Sequence, residues 1–155
     1  MLDKRFIQSN DEVGSSNMRV LIVDDFATMR RVISGLLHDL KITETDEASC
    51  YDGALSKMRE QAYDLLIVDW NMPKAQGVSL LKAVRSDAQL RTTPVLMIMG
   101  SAKREQIMEA AQAGVSGFIV KPFTADMLQE KITRIFGRKN GLLASAQGAG
   151  ESAQV

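Results

Sequence analysis

A chain of 155 residues has the length of one ordinary domain and can bury a sizeable core. Its 19 basic and 19 acidic residues cancel, which argues against a nucleic-acid or polyanion footprint, and no apolar run approaches the roughly 18 residues of a membrane span. The single cysteine, Cys50, excludes an internal disulfide, and without a signal-peptide core the composition suits a soluble cytoplasmic protein.

In chain order, residues 1–17 are polar and lack sustained periodicity; they read as a mobile lead whose only ordered candidate is a helical turn around Phe6 and Ile7. A strand is predicted over 19–24 and a helix over 27–40, where Met29, Ile33, Leu36, Leu37 and Leu40 form a stripe at helical spacing. Strand 44–48, helix 51–61, strand 64–69 and helix 77–86 follow. Strand 94–99, helix 103–113, strand 117–121 and helix 125–136 complete the series. The last helix carries a Leu128, Ile132 and Ile135 stripe, with Thr124 as its N-cap. Residues 139–155 are rich in Gly, Ala, Ser and Gln and read as a disordered tail, leaving 18–138 as the folded domain. Alternating strands and helices with right-handed crossovers predict an α/β fold, a doubly wound five-stranded parallel sheet.

Chemistry gathers at the strand ends. Val20-Leu21-Ile22-Val23 runs into Asp24-Asp25, Leu65-Leu66-Ile67-Val68 into Asp69, and Phe118-Ile119-Val120 into Lys121-Pro122. In an open parallel sheet the ligand site lies beyond the carboxyl ends of the strands, so three acids and a lysine converge on one edge. Asp69, alone at the end of the central run, is the candidate nucleophile, its carboxylate attacking phosphorus to carry an acyl phosphate. Asp24 and Asp25 suit Mg²⁺, a hard cation that favours oxygen ligands. Lys121 would hold a phosphoryl oxygen as a point charge. Singly, each has a plainer reading: helix cap, strand-end acid, solvated lysine. The lone His38 and Cys50 are expected to be structural or surface residues, and the nine methionines to fill gaps.

Three blocks in order and in register make the pattern specific. They are Val23-Asp24-Asp25-Phe26-Ala27-Thr28-Met29-Arg30-Arg31, Asp69-Trp70-Asn71-Met72-Pro73, and the run from Ala111-Gln112-Ala113-Gly114 through Lys121-Pro122-Phe123-Thr124. Through them the chain resembles the receiver domains of two-component response regulators, and most closely the single-domain chemotaxis regulators of the CheY type. The resemblance implies the flavodoxin-like (βα)5 receiver fold, phosphorylation of Asp69 by a histidine kinase, and Mg²⁺ held by Asp24, Asp25, Asp69 and the backbone carbonyl of Asn71. It also implies a cis bond before Pro122, and intrinsic self-phosphorylation and dephosphorylation in place of metabolic enzymology.

Departures from the family pattern mark this chain. Where the family has a switch Ser or Thr after the fourth strand, Met99 stands here, without a hydroxyl for the phosphoryl group. A charge-assisted hydrogen bond of that kind is worth about 1.5–3 kcal/mol, so coupling of phosphorylation to a shape change is put in doubt. Gly100 relieves crowding beside it, and Ser101 stands with Asn71 at the positions that tune phosphoryl lifetime. Gln76 replaces an acid before Gly77 with little expected consequence, and Phe118 replaces the switch tyrosine.

No output segment is recognisable after Arg138, so the domain is expected to act by docking, as a monomer. The expected face comprises Ala102, Arg104, Ile107, Phe118, Val120, Phe123 and Lys131, positions that resemble the chemotaxis surface for the flagellar switch protein and the kinase's docking domain. The alternative is a phosphate-insensitive docking module, or a phosphate sink, in which Met99 impairs the switch.

Overall fold

The structure, a computed structural model, describes residues 17–139. Most of the expected lead and tail, with the turn at Phe6 and Ile7, lies outside the described residues. Five strands, β1 (Arg19–Val23), β2 (Glu44–Ala48), β3 (Leu65–Asp69), β4 (Val95–Met99) and β5 (Gly117–Val120), alternate with five helices. The helices are α1 (Ala27–Asp39), α2 (Tyr51–Glu60), α3 (Gln76–Ser86), α4 (Arg104–Ala113) and α5 (Ala125–Lys139), with a 3-10 turn over Pro73–Ala75 leading into α3. All strands are parallel in the order β2-β1-β3-β4-β5, the expected doubly wound sheet. No helix among the described residues is long and apolar enough to cross a membrane.

Side chains alternate across a strand, and here the alternation sorts the core into two layers. Leu21, Val23, Leu66, Val68 and Met97 face α2 and α3, meeting Ala54, Met58, Leu80, Leu81 and Val84. Val20, Ile22, Leu65, Ile67 and Ile98 face the other way, onto Ile33 and Leu37 of α1 and Leu128, Ile132 and Ile135 of α5. Burial on both sides explains why β1, β3 and β4 read as unbroken apolar runs; each such side chain contributes about 1.5–3 kcal/mol. The two expected helical stripes are therefore the core faces of α1 and α5. Thr124 Oγ1 accepts the Met127 N–H at 3.2 Å, as an N-cap should. His38 is exposed, and the half-buried Cys50 caps α2 through a 3.4 Å contact from the Gly53 N–H to its sulfur.

β2 is one of the two edge strands and differs in kind. Its sequence Glu44-Thr45-Asp46-Glu47-Ala48 is polar, and its acids are engaged by neighbours. Arg19 pairs with Glu44 at 3.0 Å, the Tyr63 hydroxyl donates to Asp46 at 2.6 Å, and Arg30 pairs with Glu47 at 2.8 Å.

The amino edge of the sheet is tied by Arg85, near the end of α3. Its guanidinium donates to the carbonyls of Gly114 (2.8 Å), Arg91 (3.0 Å) and Thr93 (2.6 Å) and to Ser116 Oγ (3.2 Å). These acceptors belong to the segments that feed β4 and β5. Burial pushes the guanidinium pKa down. Gly114, with φ +93°, closes α4 in the left-handed conformation, and a side chain there would press on Arg85.

Candidate functional site

Because every strand points the same way, their carboxyl ends share one edge, and the loops leaving that edge build the site. Asp24 leaves β1 fully buried, Asp25 is half-buried beside it, and Asp69 closes β3 at 2% exposure. One carboxylate oxygen from each of the three lies within 4.8 Å of the others. Lys121 follows β5 directly, before a cis bond to Pro122, and its Nζ stands 3.6 Å from Asp69 Oδ1. The four residues expected to converge do so.

The carboxylates are only partly satisfied. Asp24 Oδ1 accepts the Phe26 N–H at 2.9 Å and Asp69 Oδ1 accepts the Asn71 N–H at 3.2 Å. Asp24 Oδ2 and Asp25 Oδ1 are buried without a hydrogen-bond partner among the described residues. A buried acceptor left unmade costs about 1–3 kcal/mol, more when charged. Burial, with Asp69 and Asp25 adding repulsion against the opposing Phe26 N–H and Lys121, pushes the Asp24 carboxyl up to about 6. Two orphaned oxygens within a cluster of three acids form a donor set that fits a hard divalent cation.

Several contacts brace these groups. Arg30 donates to the Asp24 carbonyl at 2.7 Å while pairing with Glu47, so α1 and β2 hold the β1 exit in place. The backbone of Gly77 lies against the end of β3, where a Cβ would collide with the Asp69 carbonyl oxygen. Between them, Lys74 and Ala75 take left-handed backbone angles, φ 58° and 55°, without being glycine. Gln76 accepts the Tyr51 N–H at 2.8 Å and so joins this loop to the start of α2. The little consequence expected of Gln76 overlooked this bond. The roles of Arg30 and Gln76 depend on elements distant in sequence; only Gly77, a glycine opening a helix soon after Asp69, carried a local signal.

The remaining expected residues fall on the rim. Asn71 is exposed, and a Cβ at Gly100 would stand 3.1 Å from its Nδ2, so the β4–α4 loop and the Asn71 side chain crowd one another. Met99 is fully buried at the end of β4, beside Val120 of β5. Phe118 is half-buried, packed on the core layer beneath α2 and α3, with Lys131 Nζ 5.6 Å from its ring centre. Ser101, Ala102 and Arg104 are exposed, while Ile107, Val120, Phe123 and Lys131 are half-buried.

Comparison with known proteins gives this geometry a family. Residues 20–133 match the response regulator receiver domain. The chain is 56% identical over 124 residues to chemotaxis protein CheY of Pseudomonas aeruginosa, covering 80% of this chain and 100% of that protein. It is 54% identical over 124 residues to chemotaxis protein CheY-3 of Vibrio cholerae, covering 80% of this chain and 95% of that one. Among solved structures, Vibrio cholerae CheY4 superposes with a TM-score of 0.71 at 34% identity, over 76% of this chain and 98% of that one. An aspartate cluster at the carboxyl edge of a five-stranded parallel sheet, in a chain with these relatives, belongs to the response regulator receiver family and within it resembles the CheY chemotaxis proteins.

Proposed function

We propose that the protein is a single-domain response regulator of chemotaxis or motility, with 18–138 as its signalling unit, acting in the cytoplasm as a monomer. A histidine kinase supplies a phosphoryl group to Asp69, and the phosphorylated domain signals by docking on a flagellar switch protein or similar target. The observation that carries this reading is the buried acid cluster with Lys121 Nζ 3.6 Å from Asp69 Oδ1. Asp69 is the attacking group: a carboxylate oxygen forms a bond to phosphorus as the bond from phosphorus to its donor, a phosphohistidine nitrogen or an acetyl phosphate oxygen, breaks. No proton need leave Asp69, because it reacts as the carboxylate. Lys121 neutralises charge on the incoming phosphoryl oxygens.

Asp24, Asp25, Asp69 and the Asn71 carbonyl would hold Mg²⁺, and the two orphaned carboxylate oxygens support that assignment. When bound, Mg²⁺ supplies charge stabilisation to the transferring group and relieves repulsion among the acids. Asn71 and Ser101, on the rim, set how long the phosphoryl group survives. Ala102, Arg104, Ile107, Phe118, Val120, Phe123 and Lys131 form the docking face, with an apolar centre and basic edges suited to an acidic amphipathic helix.

A second reading rests on Met99. A fully buried thioether at the switch position offers no donor to a phosphoryl oxygen, which favours a docking module indifferent to phosphate, or a phosphate sink. Mg²⁺-dependent labelling by acetyl phosphate, read as intact mass with Asp69→Asn as control, tests the proposal. A gain of one phosphoryl group that the control lacks supports the phospho-acceptor. Absence of any gain, from acetyl phosphate and from a cognate kinase alike, leaves the docking module.

A further inference from the structure

We propose that Gln76 is a positioning residue for the phospho-acceptor: its side-chain amide clasps the loop after Asp69 to the first turn of α2 and so holds the Asn71 N–H against the Asp69 carboxylate. The inference deepens the reading of Asp69 as acceptor, and rests on it for its activity readout alone.

The loop between β3 and α3 is under backbone strain. Lys74 and Ala75 are successive left-handed residues that both carry a Cβ. Such residues persist only where their surroundings over-determine them. Three contacts do so here. The Met72 side chain is buried in the core layer beneath α2 and α3. The Gly77 backbone rests on the Asp69 carbonyl, bringing the end of the loop back to its beginning. Between these anchors, Gln76 Oε1 accepts the Tyr51 N–H at 2.8 Å, reaching from the loop to a different element.

The clasp also serves α2. Its N-cap, Cys50, offers Gly53 a sulfur at 3.4 Å, and sulfur is a weak acceptor. The Tyr51 N–H is one of the groups a helix start leaves without an intrahelical partner, and Gln76 satisfies it from outside.

Inside the loop, the Asn71 N–H donates to Asp69 Oδ1 at 3.2 Å, the long end of the range, and the same oxygen faces Lys121. A bond so long is sensitive to small displacements of its donor. Releasing Gln76 frees the strained segment to relax, which moves Asn71 and turns the carboxylate away from its two partners.

The test compares Gln76→Ala and Gln76→Glu with the wild-type full chain. It reads amide hydrogen exchange at Tyr51 and Asn71 by NMR, and the initial rate of Asp69 labelling by acetyl phosphate at saturating Mg²⁺. In Gln76→Ala both amides are expected to exchange about fivefold faster or more, the worth of one hydrogen bond, with labelling slowed by about threefold. Gln76→Glu, which keeps the acceptor, should hold both close to wild type. Gln76→Met, of similar reach but lacking the amide oxygen, takes the place of Gln76→Ala if that variant does not fold. Faster exchange at Tyr51 with Asn71 exchange and labelling unchanged would reduce Gln76 to a helix cap and overturn the proposal, as would equal impairment in the Ala and Glu variants. If the wild-type chain takes no label, the acceptor reading fails separately, and exchange at Asn71 still decides the clasp.

Discussion

Gly77 and Asp69 touch backbone to backbone: the Cα of the second residue of α3 sits against the carbonyl that ends β3, leaving no room for a Cβ. The Asp69 peptide is thus held from below by a helix start as well as from the side by strand pairing. Gly77→Ala is expected to cost about 1–3 kcal/mol, the usual penalty of overpacking, because the obstructing atom is backbone and cannot swing aside. Urea denaturation followed by Trp70 fluorescence measures this. A loss below about 0.5 kcal/mol would show that the contact yields more easily than a buried sheet end should.

Arg85 performs a comparable service at the opposite edge. Its four acceptors lie on the segments that enter β4 and β5. Arg85→Ala leaves carbonyls without their donor and is expected to lower stability by about 2–4 kcal/mol. Arg85→Lys should restore only part, since a single ammonium cannot span acceptors arranged for a planar fork. Both variants should still bind Mg²⁺ and accept label at temperatures where they remain folded, because the acids lie at the other end of the strands.

The Asp24 carboxyl, raised from 3.8 to about 6, makes the site sensitive to pH in two opposite ways. Without metal, the folded chain retains a proton that the unfolded chain releases between those values. Stability from this group is therefore complete at low pH and lost as pH rises through about 6. Mg²⁺ binding needs the carboxylate, so its affinity should weaken about tenfold per pH unit below about 6. Titrating Mg²⁺ against Trp70 fluorescence at about pH 5 and about pH 7.5 checks the second effect. An affinity unchanged between them would remove Asp24 from the ligand set.

Met99 is fully buried at the carboxyl end of β4, so exchanging it for the hydroxyl residue of the family has two effects. Met99→Thr removes volume from a packed layer, lowering stability by about 1–3 kcal/mol. It also supplies a donor toward the phosphoryl group, and phosphate-dependent target binding should strengthen by about threefold to tenfold. Binding of the variant to a target peptide, with and without acetyl phosphate, measures the second effect against the first. Equal binding in both conditions would take Met99 out of the explanation.

The site was legible because each of its charged groups ends a run of apolar residues. Strands buried on both faces leave no alternation, but they end abruptly, and the abrupt end is where a parallel sheet places its chemistry. β2 gave no such signal; Glu44-Thr45-Asp46-Glu47 reads as a strand only through its place in the alternating series. What escaped the sequence was the bracing. Arg30 reaches Glu47, and Gln76 reaches the Tyr51 N–H, across elements whose adjacency exists only after folding. The left-handed turn at Lys74 and Ala75 escaped for another reason: neither residue is of a type that announces it.

The sheet's two outer strands have unlike consequences for crowding in solution. β2 carries Glu44, Asp46 and Glu47 on its two faces, and Arg19 and Arg30 pair with them, so a second copy approaching that margin meets ion pairs rather than a bare apolar strand. These part-exposed pairs hold best in dilute salt and weaken as added salt shortens the screening length. Concentrated salt therefore loosens the charged cover of β2, whereas β5, the other outer strand, is Gly117-Phe118-Ile119-Val120 and owes nothing to charge.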